Sequence, residues 1–133
     1  MSAENVATVR AIWDAVNRGD LDEALSHAPD DFLFDWSASE APERGVYRGP
    51  EAIRQAVEGT QDAWSEVEYF ESEIIDAGDR VVRVGGIRAK GKGSGVEVTA
   101  HGAQVWTFKG ATPVSVRLYQ SKEQALEAIG LSE

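Results

Sequence analysis

The stretch GKGSGVEVTAHGAQVWTFKG, residues 91–110, decides how the second half of the chain folds. Its glycine-rich start is compatible with a loop that cradles phosphate or with the bend of a β-hairpin. A phosphate loop must open a helix, because the backbone N–H groups and the helix dipole then face the anion. After Gly95, however, apolar and polar residues alternate through Phe108, which is the period of a strand. The stretch therefore favours a hairpin whose turn uses the glycines.

The neighbouring segment GIRAKGKG, residues 86–93, approaches the phosphate-binding pattern G-x-x-x-x-G-K-[ST] without completing it. Gly93 occupies the position of the hydroxyl residue that would hold Mg²⁺. The pattern G-x-G-x-x-G fails as well, since Val96 stands where the last glycine belongs. The sequence thus gives little support to a nucleotide site.

Composition and charge limit the classes of protein to consider. The chain has 133 residues, 42% hydrophobic and 27% charged, which suits a globular fold, and we expect one domain over residues 1–133. It has no cysteine, so disulfide and thiolate chemistry are excluded. The formal net charge is -10, which disfavours phosphate backbones and anionic lipids. With no long apolar run and no signal-like start, we expect a soluble, cytoplasmic protein that binds neither nucleic acid nor membranes.

The charges are grouped along the predicted strands. Residues 62–79 carry seven acids and no base, and residues 80–92 carry five bases and no acid. The basic block is compatible with an anion site. Ion pairs with the acidic strand beside it are the favoured interpretation.

The first half of the chain is predicted to be mainly helical. A helical apolar stripe covers residues 6–16, and a short second helix follows a cap at Asp20. Residues 30–36 alternate as a short strand. Residues 37–49 have no period and form a loop that is a candidate rim or lid of a site.

The second half is predicted to be a run of strands. A third helix begins at Pro50 and is predicted to bury Trp64, after which the period changes to two. Four strands follow, over residues 66–77, 80–90, 96–108 and 113–120. Gly78-Asp79 marks the first hairpin, and a capped helix from Ser121 follows the last strand. Helices followed by antiparallel strands predict the α+β class.

This order of elements resembles the SnoaL-like branch of the nuclear transport factor two-like superfamily. The resemblance rests on VNRGDLDEAL (16–25), APDDFLFDW (28–36), YRGPEAIR (47–54), GKGSGVEV (91–98), VWTFKG (105–110) and RLYQSKEQALEAIG (117–130). It implies a curved antiparallel sheet wrapped around N-terminal helices, a cone-shaped half-barrel with an apolar pocket. It also implies a homodimer built on the outer sheet face. Because the superfamily includes isomerases, cyclases and proteins without activity, the function stays open.

The resemblance allows the catalytic positions of ketosteroid isomerases to be sought in this chain. Those enzymes use a carboxylate base together with a tyrosine and a protonated acid. The tyrosine position falls on Ile12, the base position on Trp36 and the position of the second acid on Gln104. None of the three has the required chemistry, and the Asp-Arg-Asp relay of epoxide-hydrolase relatives cannot be placed. Both mechanisms therefore lack support.

The same match predicts which side chains line the pocket. The predicted ligand-binding residues are Phe34, Trp36, Tyr47, Gln104, Trp106, Leu118 and Gln120. An aromatic wall with a few uncharged hydrogen-bonding groups is a common lining for small molecules. A core in which these side chains fill the cone is the alternative, and both stay open. Trp13 and Trp64 lie on helical stripes and are assigned to the core.

Asp35 and His101 are the candidate catalytic residues. Asp35 would act as a general base if it faced the pocket and burial raised its pKa. Outward pairing with an arginine is the favoured alternative. His101 alternates onto the outer face with Arg117 and Tyr119, where a contact at the dimer surface is favoured over acid–base work. No metal or cofactor is predicted, since the chain has 2 histidines, far apart and in no ligand motif.

We therefore expect a dimeric, cofactor-free domain that binds a small apolar or aromatic molecule in a cone-shaped pocket. Isomerase, cyclase or dehydratase chemistry on that ligand is the enzymatic form of the hypothesis, with Asp35 or His101 as base and Gln104 polarising an oxygen. A non-catalytic ligand-binding module and a protein-interaction module with a filled cone are the alternatives.

Overall fold

The computed structural model describes residues 3–38, 45–62 and 64–131, which form four helices and six strands. The helices are α1 (Ala3–Asn17), α2 (Leu21–Leu25), α3 (Pro50–Gln61) and α4 (Lys122–Ala128). The strands are β1 (Leu33–Asp35), β2 (Val46–Arg48), β3 (Trp64–Ala77), β4 (Arg80–Gly91), β5 (Glu97–Lys109) and β6 (Thr112–Tyr119). No helix in these ranges is long and apolar enough to cross a membrane.

All six strands belong to one curved, unclosed sheet in the order β2-β1-β6-β5-β4-β3. Neighbouring strands are antiparallel except β1 and β6, which run parallel. The N-terminal helices pack on the inner face of the sheet and α4 packs on the outer face. The predicted α+β class and the curved sheet around N-terminal helices are confirmed.

The two faces of the sheet bury separate clusters, because successive strand residues point to opposite sides. On the inner face, Trp106 packs in one cluster with Val9 of α1. On the outer face, its sequence neighbour Val105 packs with Leu126 of α4. This alternation assigns each strand residue to the inner or the outer layer.

The glycine-rich segment after β4 is the turn of a hairpin, as the sequence predicted. Gly93 and Gly95 have φ angles of 79° and 70°, a region that glycine enters without strain. The N–H of Gly91 donates to the carbonyl of Val96 at 2.8 Å, and β5 follows the turn. Because a strand and not a helix begins there, the geometry of a phosphate loop is not formed.

Three predicted boundaries were wrong. The third helix ends at Gln61, and Trp64 begins β3, where it pairs with Gly91 of β4. The strand predicted for residues 30–36 is confined to β1. The predicted loop 37–49 contains β2, a three-residue edge strand too short to show a period. Residues 39–44 of that candidate rim lie outside the described residues.

The two adjacent glycines of β4 lie close to the backbones of both neighbouring strands. A Cβ added to Gly85 would lie 1.9 Å from the carbonyl oxygen of Phe70 in β3. One added to Gly86 would lie 1.9 Å from that of Ala100 in β5. The register of β3 and β4 also shifts here, at residues 71–73. Glycines and bulges are the usual means by which a sheet curves, so this pair helps the sheet to wrap around the inner helices.

The acidic and basic segments pair across β3 and β4. Arg88 lies opposite Glu68 with a 3.0 Å contact, and Lys90 lies opposite Glu66 with a 3.6 Å contact. The favoured interpretation of the basic block is confirmed for these exposed pairs. Arg83 differs, because its side chain is buried on the inner face.

Candidate functional site

A cavity of about 540 Å³ lies between the inner face of the sheet and helices α1–α3. The four tryptophans of the chain, Trp13, Trp36, Trp64 and Trp106, all line it. Its volume falls within the range of small-molecule sites, roughly 300–1,000 Å³. Trp13 and Trp64, which the sequence assigned to the core, thus also form part of the cavity wall.

Most of the predicted ligand-binding residues are brought together around this cavity. Those that line it are Phe34, Trp36, Gln104, Trp106, Leu118 and Gln120. Tyr47 differs: it is not among the described lining residues, and its ring lies edge-on to Phe34 with 6.5 Å between the centroids. Tyr47 thus packs against a residue that lines the cavity. Ligand contact by each of these residues stays a prediction.

The positions transferred from the isomerases also converge on the cavity. Ile12, Trp36 and Gln104 all line it, although none is ionisable. Among the described residues no aspartate or glutamate lines the cavity. The described wall therefore offers no carboxylate to abstract a proton.

Asp35 lies on the outer side of the sheet. It is opposite Arg117 in the register of β1 and β6, and its Oδ2 is 3.3 Å from Arg117 Nε. Partial burial acts to raise the pKa of Asp35, but hydrogen bonds from Ser37 and the charge of Arg117 outweigh it and hold the pKa below its usual value. A carboxylate in this setting is a weak general base at neutral pH.

His101 borders the cavity, but its position on β5 alternates with Gly102 and Gln104. Its side chain therefore belongs to the outer face, where its ring lies edge-on to Phe70 at 5.6 Å. Neither candidate catalytic residue presents its ionisable group to the cavity, and their catalytic roles stay predictions without geometric support. No cluster of metal-ligating side chains occurs in the part of the chain that the structure describes.

Two tryptophans fix the orientation of Gln104. Trp13 Nε1 and Trp106 Nε1 each donate a hydrogen bond of 2.9 Å to Gln104 Oε1. An indole nitrogen can only donate, so the amide oxygen must face both rings. The NH₂ group of Gln104 consequently faces away from the indoles and is a hydrogen-bond donor within the cavity wall.

Arg83 reaches the cavity from β4, which the sequence analysis did not anticipate. Its side chain is 5% exposed, lines the cavity and lies opposite Gln104 in the register of β4 and β5. Its Cζ is 5.0 Å from the ring centroid of Trp13. Burial lowers the pKa of Arg83, and the charge of Glu71, 3.5 Å away, opposes that shift. Since an arginine stays protonated in proteins, the cavity contains a buried cation.

Tyr69 of β3 adds a phenol to the same wall. Its ring centroid is 4.9 Å from that of Trp13. Burial raises the pKa of Tyr69, and a hydrogen bond with Gln61 opposes the shift. The phenol is therefore protonated at neutral pH. Together with Arg83 and Gln104 it can stabilise negative charge on a ligand, but it supplies no base.

Comparison with known proteins identifies the family. The sequence profile of the SnoaL-like domain matches residues 9–112, and the chain belongs to that family. The resemblance drawn from the sequence is thus confirmed. A search of curated proteins gave no significant match.

Solved structures share the fold over most of the chain. An NTF2-like protein of unknown function from Burkholderia pseudomallei K96243 has a TM-score of 0.78 at 22% identity, covering 96% of this chain and 98% of that chain. TerC, co-crystallised with polyporic acid, has a TM-score of 0.77 at 18% identity with coverage of 96% and 98%. A protein with a ketosteroid isomerase-like fold from Catenulispora acidiphila DSM 44928, in complex with trimethylamine, has a TM-score of 0.72 at 20% identity. The match covers 93% of this chain and 92% of that chain. At these identities the likeness establishes the fold alone.

Proposed function

We propose that this protein binds a small apolar or aromatic molecule in the inner cavity. The observation that carries the proposal is the cavity itself, about 540 Å³ in volume and lined by all four tryptophans. Protein cores are packed to crystal-like density, so a filled cone would leave no space of this size. The cavity therefore favours ligand binding over an interaction module with a filled interior.

Two of the similar structures contain small molecules. TerC was crystallised with polyporic acid, and the Catenulispora acidiphila protein is in complex with trimethylamine. Those ligands belong to those proteins. They support the use of this fold as a container for small molecules.

Catalysis in the same cavity has less support than binding. Cofactor-free isomerisation, cyclisation or dehydration needs a base within hydrogen-bond reach of the ligand. Of the described residues, four ionisable ones line the cavity: Tyr69, Arg83, His101 and Tyr119. Tyr69 and Arg83 are on the inner face and are both protonated at neutral pH, whereas the His101 ring lies against Phe70 and Tyr119 packs with the outer cluster. The geometry therefore favours a binding module that stabilises, and does not generate, negative charge.

A screen of apolar and aromatic compounds tests the proposal with two independent readouts. A ligand present at about 100 times its Kd stabilises the native state by about 2.7 kcal/mol, which raises the unfolding temperature by several degrees. All four tryptophans line the cavity, so occupancy should also change the intrinsic fluorescence. We expect the same compounds to produce both effects.

Ala100→Trp is the matched blocking variant. Ala100 lines the cavity but is exposed, so an indole there fills space without overpacking the core. We expect the unfolding temperature of the unliganded variant to stay close to that of the wild type and both ligand effects to disappear. Undiminished binding to this variant would show that the cavity is not the site. A screen without any binder would contradict the binding proposal itself.

We also propose that the protein forms a homodimer through the outer face of the sheet. α4 covers this face around Val105. Phe70, Arg88 and His101, none of which belongs to that cluster, form an aromatic and basic strip. In the strip Arg88 Cζ is 4.1 Å from the centroid of the Phe70 ring, which His101 meets edge-on. Buried aromatic residues and arginine are enriched where proteins associate.

Sedimentation velocity measures the association state directly. We expect twice the chain mass of 14.4 kDa for the wild type and the single-chain mass for Phe70→Glu. The charge change removes an outer-face contact and does not touch the cavity, so ligand binding should persist. A wild-type protein that sediments as a monomer would refute the dimer.

A further inference from the structure

The polarity of the cavity points to a narrower class of ligand. We propose that the ligand carries an anionic oxygen, in a carboxylate or an ionised phenol or enol, which pairs with Arg83 and accepts a hydrogen bond from Gln104. This inference rests on the proposed binding function and adds the chemical class of the ligand.

Arg83 is a buried cation with incomplete pairing. Its side chain is 5% exposed, and its Nε has no hydrogen-bond partner among the described residues. A buried charge is costly unless it is paired and hydrogen-bonded, and a guanidinium has five N–H donors to satisfy. The ion pair that the described residues give it, from Nε to Glu71 Oε1, is long at 3.5 Å. A further oxygen acceptor would complete the environment of Arg83.

Glu71 also forms an ion pair with a second arginine, Arg10. Arg10 of α1 places Nη2 at 2.8 Å from Glu71 Oε2, and its Nε also bonds to that carboxylate. Asp14 of α1 attracts both arginines, and Arg10 repels Arg83. The charges around Arg83 thus include the carboxylate of Glu71, which Arg10 shares, the carboxylate of Asp14 and the second cation Arg10. No close, unshared ion pair to Arg83 occurs among the described residues, so its guanidinium is able to pair with a ligand.

Gln104 supplies a second donor next to the guanidinium. It is the register partner of Arg83, and side chains opposite each other on paired strands begin about 4.5–5.5 Å apart. Both indole N–H groups donate to its oxygen, so its NH₂ group is the part of the amide left to bond to a ligand. Two donors on neighbouring strands, one of them charged, match a group with two accepting oxygens.

The acidic surface of the protein does not oppose this assignment. The net charge of -10 belongs mainly to exposed side chains, whose fields fall off within about 10 Å at 0.1 M salt. Arg83 acts at contact distance in a wall of apolar side chains, where screening is weak. The local cation therefore decides the preference for ligand charge.

Matched probes test the inference. 2-Naphthoate, 2-naphthamide and 2-naphthylmethylammonium share one aromatic body and differ in charge, and 2,4-dinitro-1-naphtholate presents an ionised phenol. Isothermal titration calorimetry gives a Kd for each. We expect 2-naphthoate to bind about tenfold or more tightly than the amide, and the ammonium to bind weakest. The ratio of naphthoate to naphtholate affinity then tells carboxylate ligands from phenolate ligands.

Two variants locate the preference at Arg83. Arg83→Met keeps the side-chain length and removes the charge, while Glu71 keeps Arg10 as its partner. We expect the unfolding temperature of this variant to equal or exceed that of the wild type. Its affinity for naphthoate should fall about tenfold or more, and its affinity for the amide should stay within about threefold of the wild-type value. In Gln104→Glu the new carboxylate still accepts from the two indoles and pairs with Arg83 in the ligand's place. This variant should fold and lose naphthoate binding. If Arg83→Met does not fold, Gln104→Glu still tests the inference.

The outcomes separate this inference from the binding proposal. The anionic-oxygen inference is wrong, and the binding proposal stands, in either of two cases. In the first, the amide binds the wild type as tightly as naphthoate does; in the second, Arg83→Met weakens the binding of both compounds to the same extent. If no probe binds at about 1 mM, the anionic-oxygen inference is overturned, and the wider compound screen with Ala100→Trp decides the binding proposal separately.

Discussion

Gly85→Ala is expected to lower the unfolding temperature by about 10 °C, which corresponds to about 3 kcal/mol. The added Cβ would lie 1.9 Å from the carbonyl oxygen of Phe70 and 2.9 Å from its carbonyl carbon. Both are backbone atoms of β3, so no side-chain rotation relieves the clash and the strands must move apart. Differential scanning calorimetry of the purified variant measures the effect.

Gly59→Ala is the matched control for this prediction. Gly59 is an exposed residue of α3, and a Cβ built on it meets nothing within 4 Å. Alanine is favoured over glycine in a helix interior, so we expect a stabilisation of about 0.5–1 kcal/mol. If Gly85→Ala behaved like this control, the close packing of β4 against β3 would not depend on glycine.

Trp106→Ala is expected to reduce the free energy of unfolding by about 3–5 kcal/mol. Trp106 is 4% exposed, and its ring centroid lies 5.9 Å from that of Phe32. It also donates one of the two hydrogen bonds that orient Gln104, at 2.9 Å. Truncation therefore removes a large buried surface and one of those bonds. Urea denaturation, analysed by linear extrapolation, gives the change.

Trp64→Ala provides the comparison within the same cavity. Trp64 also lines the cavity, but it is only partly buried and stands at the start of β3. We expect a loss of about 1 kcal/mol. Equal losses for the two variants would mean that burial in the inner core does not set the cost of replacing Trp106.

The long strands were predictable because two-residue alternation persists over many positions. The predicted strands 80–90 and 96–108 differ from β4 and β5 by one residue at their ends. The end of α3 was not predictable in the same way. Ile53, Val57 and Trp64 fit helical spacing, and only the pairing of Trp64 with Gly91 in another strand assigns it to β3.

The candidate site was predictable for residues on a strand whose alignment with the family could be fixed, such as Gln104 and Trp106, because alternation then gives the face of each residue. Arg83 was missed although it alternates in step with the inward Val81. Because Arg83 is charged, it was grouped with the other bases of residues 80–92, of which Arg88 and Lys90 form ion pairs with β3 on the outer face. The hydrogen bond between Trp13 and Gln104 joins residues 91 positions apart, so no local pattern reveals it.

The placement of every tryptophan in the inner layer has a consequence for how unfolding is measured. The outer cluster, where Val105 packs with Leu126 of α4, contains no tryptophan. A melting curve followed by emission therefore reports the inner layer, whereas far-UV circular dichroism also reports α4. Coincident curves indicate that the two layers unfold cooperatively. If ellipticity is lost at a lower temperature than the emission changes, α4 unfolds or detaches while the inner layer is still folded.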